Sequence, residues 1–264
     1  MVARAPALFG HRLSATVFLV GAGPGAPDLL TLRAARLLEQ ADIVFHDALV
    51  HPDTLSLAAK AQKIAVGKRC GRHSTVQKFI NKRLVDAALK HKIVIRLKGG
   101  DPMLFGRAQE EIDALSAAGI AFEVVPGITA ALAASAQIGV SLTRRGLSRN
   151  VAFVTPRVGE TEHASDWVAG ALAADSVAIY MGAGQADAIS TALMARGRDP
   201  GTPIALVESA SLVQTSVRYG TLRALPALAL EAGTGPVVIL LGDVLREKLD
   251  AQIVLARHQL LATA

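Results

Sequence analysis

Three glycine-bearing turns hold the residues of the first half of this chain that could do chemistry. Gly21-Ala22-Gly23-Pro24-Gly25-Ala26 follows a β-branched run at residues 16–20 and precedes a leucine-rich helical pattern. Its G-x-G-x-x-A spacing fits the fingerprint that sets a pyrophosphate on a helix N-terminus, and Asp42 and Asp47 stand near where a ribose-binding acid would follow. Pro24 argues against that chemistry, because it removes a backbone N–H from the turn that should cradle phosphate. The turn suits backbone approach to something flat or apolar; a plain strand-to-helix connection is the alternative. Gly99-Gly100-Asp101-Pro102 ends a second predicted strand, residues 93–97, and Asp101 can accept hydrogen bonds from a ribose or an ammonium. Pro126-Gly127-Ile128-Thr129-Ala130 ends a third, at Val124-Val125. In an open α/β sheet such turns collect at the carboxyl edge of the strands, where ligands bind, so three together point to one site.

The elements that must position these turns alternate between strand and helix. Leu29, Leu30, Leu32, Leu37 and Leu38 recur at helical spacing, and residues 43–45 form a short strand. Ser74-Thr75-Val76-Gln77 has the capping-box form and opens a helix with Ile80, Leu84, Ala88 and Leu89 on one face. This order predicts a largely parallel sheet covered by helices. Beyond residues 143–150 come runs at 151–155, 177–181, 204–208, 215–222 and 237–241. The last three lie too close together for full helices between all of them, which predicts a mixed sheet with antiparallel neighbours. The reading is α/β, two lobes with the active site in the cleft between them. The expected divisions are a flexible N-terminal tail at 1–15, a first lobe at 16–145, a second at 146–250 and a C-terminal tail at 251–264.

Composition narrows the function. Across 264 residues, 51% are hydrophobic and 19% charged, which excludes a disordered chain. The single cysteine, Cys70, allows neither an intrachain disulfide nor a cysteine zinc cluster, and a reducing, cytoplasmic compartment fits best. No apolar run approaches the ~20 residues of a membrane span, and residues 1–15 lack the apolar centre of a signal peptide. The seven histidines show no ligand spacing, so no metal is expected. Net charge is +6, but residues 1–145 hold 19 Lys and Arg against 11 Asp and Glu, while the rest holds 9 against 11. The basic peak at residues 60–98 is either a solvated face or the seat of an anionic partner. Aromatic residues are 4% of the chain, too few for stacking platforms, which favours a polyanionic small molecule over nucleic acid.

In order along the chain, the motifs spell a family. Val20-Gly21-Ala22-Gly23-Pro24-Gly25, Leu29-Leu30-Thr31-Leu32, Ala41-Asp42-Ile43-Val44 and His46-Asp47-Ala48-Leu49-Val50 resemble the opening of the tetrapyrrole methylases. Val66-Gly67-Lys68-Arg69, Arg96-Leu97-Lys98-Gly99-Gly100-Asp101-Pro102, Phe105-Gly106-Arg107 with Glu110-Glu111, Thr143-Arg144-Arg145, Tyr180-Met181-Gly182 and Val207-Glu208 narrow the likeness to the uroporphyrinogen-III C-methyltransferases. The chain departs from that pattern at Ala26, Ala108-Gln109, Gln137, Ser141, Arg144 and Ser209-Ala210-Ser211.

The resemblance implies a homodimer that uses S-adenosylmethionine to methylate uroporphyrinogen III at C-2 and then C-7. The product would be precorrin-2, and the chain is expected to be the stand-alone methyltransferase, without a dehydrogenase and ferrochelatase module in front. It implies cofactor contacts at Pro24, Gly99, Gly100, Asp101, Leu104, Thr129, Ala130, Met181 and Ala210. Asp47 is the implied proton acceptor and Lys68 the proton donor. Arg107 is a catalytic or orienting group, and Arg69 and Arg145 bind substrate carboxylates. Blander roles stay open beside these: a helix N-cap for Asp47, a core methionine for Met181, and a salt bridge to Glu110 or Glu111 for Arg107. The competing functions are another methylase of the same superfamily (a later precorrin methyltransferase, or a ribosomal-RNA or diphthamide methylase), a nicotinamide-dependent oxidoreductase, and a non-catalytic sensor of tetrapyrroles or S-adenosylmethionine.

Overall fold

A computed structural model describes residues 16–66, 73–159 and 165–262. The strands are β1 (Val17–Gly21), β2 (Ile43–His46), β3 (Gln62–Ala65), β4 (Val94–Lys98), β5 (Phe122–Val125), β6 (Val151–Val154), β7 (Ser176–Tyr180), β8 (Pro203–Glu208), β9 (Ser216–Thr221) and β10 (Val237–Gly242). The helices are α1 (Leu32–Gln40), α2 (Pro52–Ser56), α3 (His73–Ala88), α4 (Ala108–Ala117), α5 (Ala130–Ile138), α6 (Trp167–Ala173), α7 (Ala186–Ala195), α8 (Leu225–Leu230) and α9 (Arg246–Ala262). They form two compact units, residues 16–22 with Leu30–Gly127, and Gly23–Leu29 with the chain from Ile128 onward.

The first unit is built on a fully parallel sheet of order β3-β2-β4-β1-β5. Its middle strands β1 and β4 are buried at every position, as strands covered by helices on both faces must be. Parallel pairing puts every carboxyl end at one edge. Thr31 caps α1, its Oγ1 accepting from Ala34 N at 3.1 Å, and Ala34, Leu37 and Leu38 turn inward. The leucine pattern runs ahead of this helix: Pro27–Leu29 is a 3-10 turn, and Leu32 is exposed. In α3 the buried face is Ile80, Leu84 and Ala87, while Leu89 lies past the helix end in solvent. Because α3 already includes His73, Ser74 sits inside the helix and not at its cap. Edge strand β3 carries no apolar signal because its residues are mostly exposed.

The second unit has the expected mixed sheet, of order β6-β7-β10-β8-β9. Only β6 and β7 pair in parallel; β10 is antiparallel to β7 and β8, and β8 to β9. The division between units falls after Gly127, not at residue 145. Ala131, Ala134, Ile138 and Leu142 are buried against Ala178, Ala205, Val207 and Leu240 of the second sheet, so apolar burial assigns α5 there. The expected C-terminal tail is also displaced, since α9 runs through residues 251–262. The expected tail at 1–15 lies outside the described residues. Among the described residues no helix is long and apolar enough to cross a membrane.

Candidate active site

In the first unit the three turns meet backbone to backbone. A Cβ on Gly21 would stand 2.6 Å from Gly127 Cα and 2.8 Å from Gly100 O. One on Gly127 would strike the same carbonyl. Gly100 itself adopts φ +68°, a left-handed conformation that glycine takes freely. Asp101 fastens the junction: Oδ2 accepts from Gly127 N at 2.9 Å and Oδ1 from Met103 N at 2.8 Å. Its carboxylate therefore first ties the β4 turn to the β5 turn, with remaining lone pairs for a ligand.

Asp47 follows β2 at the same edge. Its backbone N–H donates to Leu97 O at 3.2 Å, and its side chain is about one-third exposed at 32%. Arg96 Nη2 donates to Asp47 Oδ1. Behind Arg96 lies Glu111 of α4, wholly buried, which accepts from Arg96 Nε at 2.9 Å. Lys98 Nζ lies 3.0 Å from each oxygen of the Glu111 carboxylate. Burial is the largest influence on Arg96 and disfavours its charge, but Glu111 and Asp47 outweigh it and hold its pKa above the ordinary arginine value. Burial, with Arg96 as a neighbouring cation, pushes the Lys98 pKa down.

Leu104 is half-buried behind Asp101, its N–H donating to Asp101 O at 3.3 Å. Arg107 precedes α4 with φ +56° and grips Glu110 through Nε at 2.6 Å and Nη2 at 2.7 Å. The salt bridge left open by the sequence is thus formed with Glu110, while Glu111 turns inward.

The second unit gathers its own group. The Tyr180 hydroxyl at the end of β7 lies 2.6 Å from Thr129 Oγ1 and accepts from Ala131 N at 3.1 Å. It caps α5 where Thr129 itself makes no side-chain cap bond, and burial pushes its pKa up. This link brings Thr129 and Ala130 beside Met181, which is exposed and holds φ +55°. Left-handed backbone in a non-glycine residue costs about 1–3 kcal/mol and concentrates at functional sites. Ser209 (φ +53°) and Ser211 (φ +74°) flank the buried Ala210 in the same way. Ser211 Oγ accepts from Ala26 N at 3.1 Å, and Leu212 packs so closely on Gly25 that a Cβ there would lie 2.9 Å from it. The Pro24 turn is thereby fastened to the Ala210 turn. Because β10 pairs with both β7 and β8, with Val238 opposite Tyr180 and Val237 opposite Glu208, Met181 and Ala210 share one sheet edge.

The tetrapyrrole (corrin/porphyrin) methylase family matches residues 16–226. The chain belongs to the tetrapyrrole methylases. Among known tetrapyrrole methylases, the siroheme synthase 1 of Yersinia pseudotuberculosis is 45% identical over 235 residues, covering 89% of this chain and 50% of that protein. The siroheme synthase of Zymomonas mobilis is 46% identical over 229 residues, covering 86% of this chain and 48% of its own length. The chain therefore spans about half the length of these curated relatives. The uroporphyrin-III C-methyltransferase of Thermus thermophilus, solved with S-adenosylhomocysteine, is 38% identical with a TM-score of 0.76, covering 88% of this chain and 99% of that one.

Set on a tetrapyrrole methylase, the expected site residues divide by unit. Asp47, Gly99, Gly100, Asp101, Leu104 and Arg107 lie at or after the carboxyl ends of the first sheet. Pro24, Thr129, Ala130, Met181 and Ala210 lie together in the second unit. Arg145 does not join them. It is exposed in the turn before β6, beside a hollow of about 440 Å³ lined by Thr143, Arg144, Arg145, Ser148 and Arg149. Ser148 Oγ contacts Ser176 Oγ at 3.0 Å, which puts that turn at the start of β7, the opposite end from Met181. Lys68 and Arg69 lie outside the described residues. Motif and spacing give no role to Arg96, Lys98, Tyr180 or Ser211, and offer Glu111 only as a partner for Arg107. The available signal was a pair of cations at alternate positions of an apolar strand, Arg96 and Lys98, which face the same side.

Proposed function

We propose that this chain is an S-adenosylmethionine-dependent methyltransferase that methylates uroporphyrinogen III at C-2 and then C-7. The product is precorrin-2, which feeds sirohaem, cobalamin or haem d1 synthesis. The observation that carries this reading is the match to the Thermus uroporphyrin-III C-methyltransferase over 99% of that protein. The residues present fit S-adenosylmethionine. Met181 offers an exposed thioether for an adenine face, next to the helix end that Tyr180 caps. In the first unit, Gly99 and Gly100 put no side chain on the turn that follows β4. The co-substrate supplies an activated methyl group on a sulfonium.

The chain's own residues orient the acceptor and handle its proton. Methyl transfer breaks a sulfur–carbon bond and forms a carbon–carbon bond at the pyrrole, so the protein's task is in-line positioning. The methylated ring is cationic until a meso proton leaves. Asp47, at the carboxyl edge and partly open to solvent, takes that proton. Lys68 serves as proton donor, Arg107 orients the substrate, and Arg69 and Arg145 bind its carboxylates. For Arg145, at the far end of β7 from Met181, the basic hollow around it supports carboxylate binding away from the methyl-transfer residues. The basic surplus of residues 1–145 favours a polyacidic substrate. The resemblance supports a homodimer, and the single cysteine supports a cytoplasmic location.

The test is anaerobic incubation with uroporphyrinogen III and S-adenosylmethionine, followed by mass spectrometry of the tetrapyrrole. Two added methyl groups are expected. None, with the co-substrate shown to bind, overturns the substrate assignment. Asp47→Asn should lower turnover by roughly 10²–10⁴-fold and leave co-substrate affinity within about twofold.

A further inference from the structure

The first unit contains a connected chain of four charged side chains, of which the proposed reaction uses only the outermost. Glu111 is fully buried and its carboxylate accepts from three side chains: Arg96 Nε, Lys98 Nζ and Gln77 Nε2 (3.2 Å). Arg96 is buried too, and its fork is fixed from every side. Nε meets Glu111, Nη1 meets Leu97 O at 3.1 Å and Phe45 O at 3.5 Å, and Nη2 meets Asp47 Oδ1. Two of these partners are carbonyls of strands β4 and β2, so the guanidinium is held by the sheet itself. Among the described residues, Asp47 is its one side-chain partner that is partly open to solvent. The charges balance, with two cations against two carboxylates. Of the two carboxylates, one is buried and the other stands at the edge.

A buried ion network is weak support for stability, because apolar replacements of similar volume are often neutral or better. What this network does provide is orientation. The planar fork presents its donors in fixed directions, and every direction but one is anchored. Among the described residues Asp47 Oδ2 carries no hydrogen bond, so the anchored oxygen is Oδ1 and the available one is Oδ2.

We propose that Arg96 is a positioning residue for methyl transfer: locked by Glu111 and the sheet, it fixes Asp47 through Oδ1 and leaves Oδ2 to take up the substrate's meso proton. In that step the carbon–hydrogen bond electrons return to the ring, neutralising its cation, and the proton resides on Asp47 Oδ2. Lys98 keeps Glu111 paired and does not touch Asp47's proton. The inference rests on Asp47 being the proton acceptor.

The test is a double-mutant cycle. Arg96→Met leaves the Lys98–Glu111 pair matched in the interior, and with the bonds to Glu111 and to the Leu97 and Phe45 carbonyls it removes the link to Asp47. Its kcat for precorrin-2 formation should fall about tenfold or more, with KM for S-adenosylmethionine within about twofold. In an Asp47→Asn background, measured by single-turnover mass spectrometry, the same substitution should change the rate less than about twofold. Arg96→Lys keeps the charge but cannot reach both carboxylates, and should fail to restore kcat. A folded Arg96→Met variant with wild-type kcat overturns the proposal, as does an equal loss in both backgrounds. Wild-type turnover by Asp47→Asn alone would instead sink the proton-acceptor reading. Should Arg96→Met fail to fold, Glu111→Gln probes the same link with its shape kept. A drop in kcat that vanishes in the Asp47→Asn background sustains the proposal, and an additive drop overturns it.

Discussion

The two units solve the same problem, a buried carboxylate, in different ways. In the first, Glu111 is neutralised by the side-chain cations Arg96 and Lys98, and one of them reaches on to the edge of the sheet. In the second, Glu208 at the end of β8 is held chiefly by backbone: Gly235 N donates at 2.8 Å and Gly233 N at 3.0 Å, joined by the Ser216 hydroxyl at 3.1 Å, with Arg218 farther off at 3.7 Å. A cation network leaves a charge, Asp47, standing part-exposed at the edge of the sheet. A pair of backbone amides ties the loop before β10, at Gly233 and Gly235, to the end of β8, just ahead of Ser209, Ala210 and Ser211. The first unit is thus arranged around charge, and the second around backbone shape, with left-handed residues at Met181, Ser209 and Ser211.

The largest blow to this contrast is Glu111→Ala. It leaves Arg96 and Lys98 buried without their counter-ion and should destabilise by about 3–5 kcal/mol, read in a denaturant melt. A loss below about 1 kcal/mol would mean the network is not the first unit's electrostatic centre. Next comes Gly127→Ala, whose Cβ would collide with Gly100 O; a backbone shift there should cost about 1–3 kcal/mol. Tyr180→Phe removes the hydroxyl that caps α5 and should cost the second unit about 1 kcal/mol, with weaker S-adenosylmethionine binding by calorimetry. Unchanged affinity would detach the cap from the binding site.

The smallest effect is confined to acid. The amides, Gly233 foremost, hold the Glu208 carboxyl below the usual carboxylate range despite opposing burial. Its folded-state pKa is depressed, so its stabilisation is complete above the unfolded value and is lost as pH falls through the folded one. The stability gap between wild type and Glu208→Gln should be widest near neutrality and close on acidification below the ordinary carboxylate range. A gap that stays constant with pH would show that packing, not charge, is what the amides supply.

Much of the first unit was legible in the sequence because its turns carry their own chemistry. Glycines at 21, 99, 100 and 127 end apolar strands, and parallel pairing does bring those ends together. The role of Arg96 was hidden because its meaning depends on Glu111, a residue of another element 15 positions away. The boundary was misplaced because the change in charge balance near residue 145 is a surface property, whereas α5 is assigned by its buried alanines. Arg145 was placed with substrate contacts on motif alone; the Ser148–Ser176 contact puts its turn at the opposite end of β7 from Met181.

One feature of the chain path bears on how the protein is assembled in time. Gly23–Leu29 leave the first unit to join the second, where Ala26 meets Ser211 across a separation of 185 residues. Contacts so distant in sequence form slowly, because a long loop must close before they reward it. During synthesis the Pro24 turn emerges well ahead of its partner, since Ser211 follows Ala26 by 185 residues. A polypeptide severed after Gly127 would yield a C-terminal piece whose Ser211 and Leu212 face water, and adding back a short peptide spanning residues 23–29 would be the means to complete it.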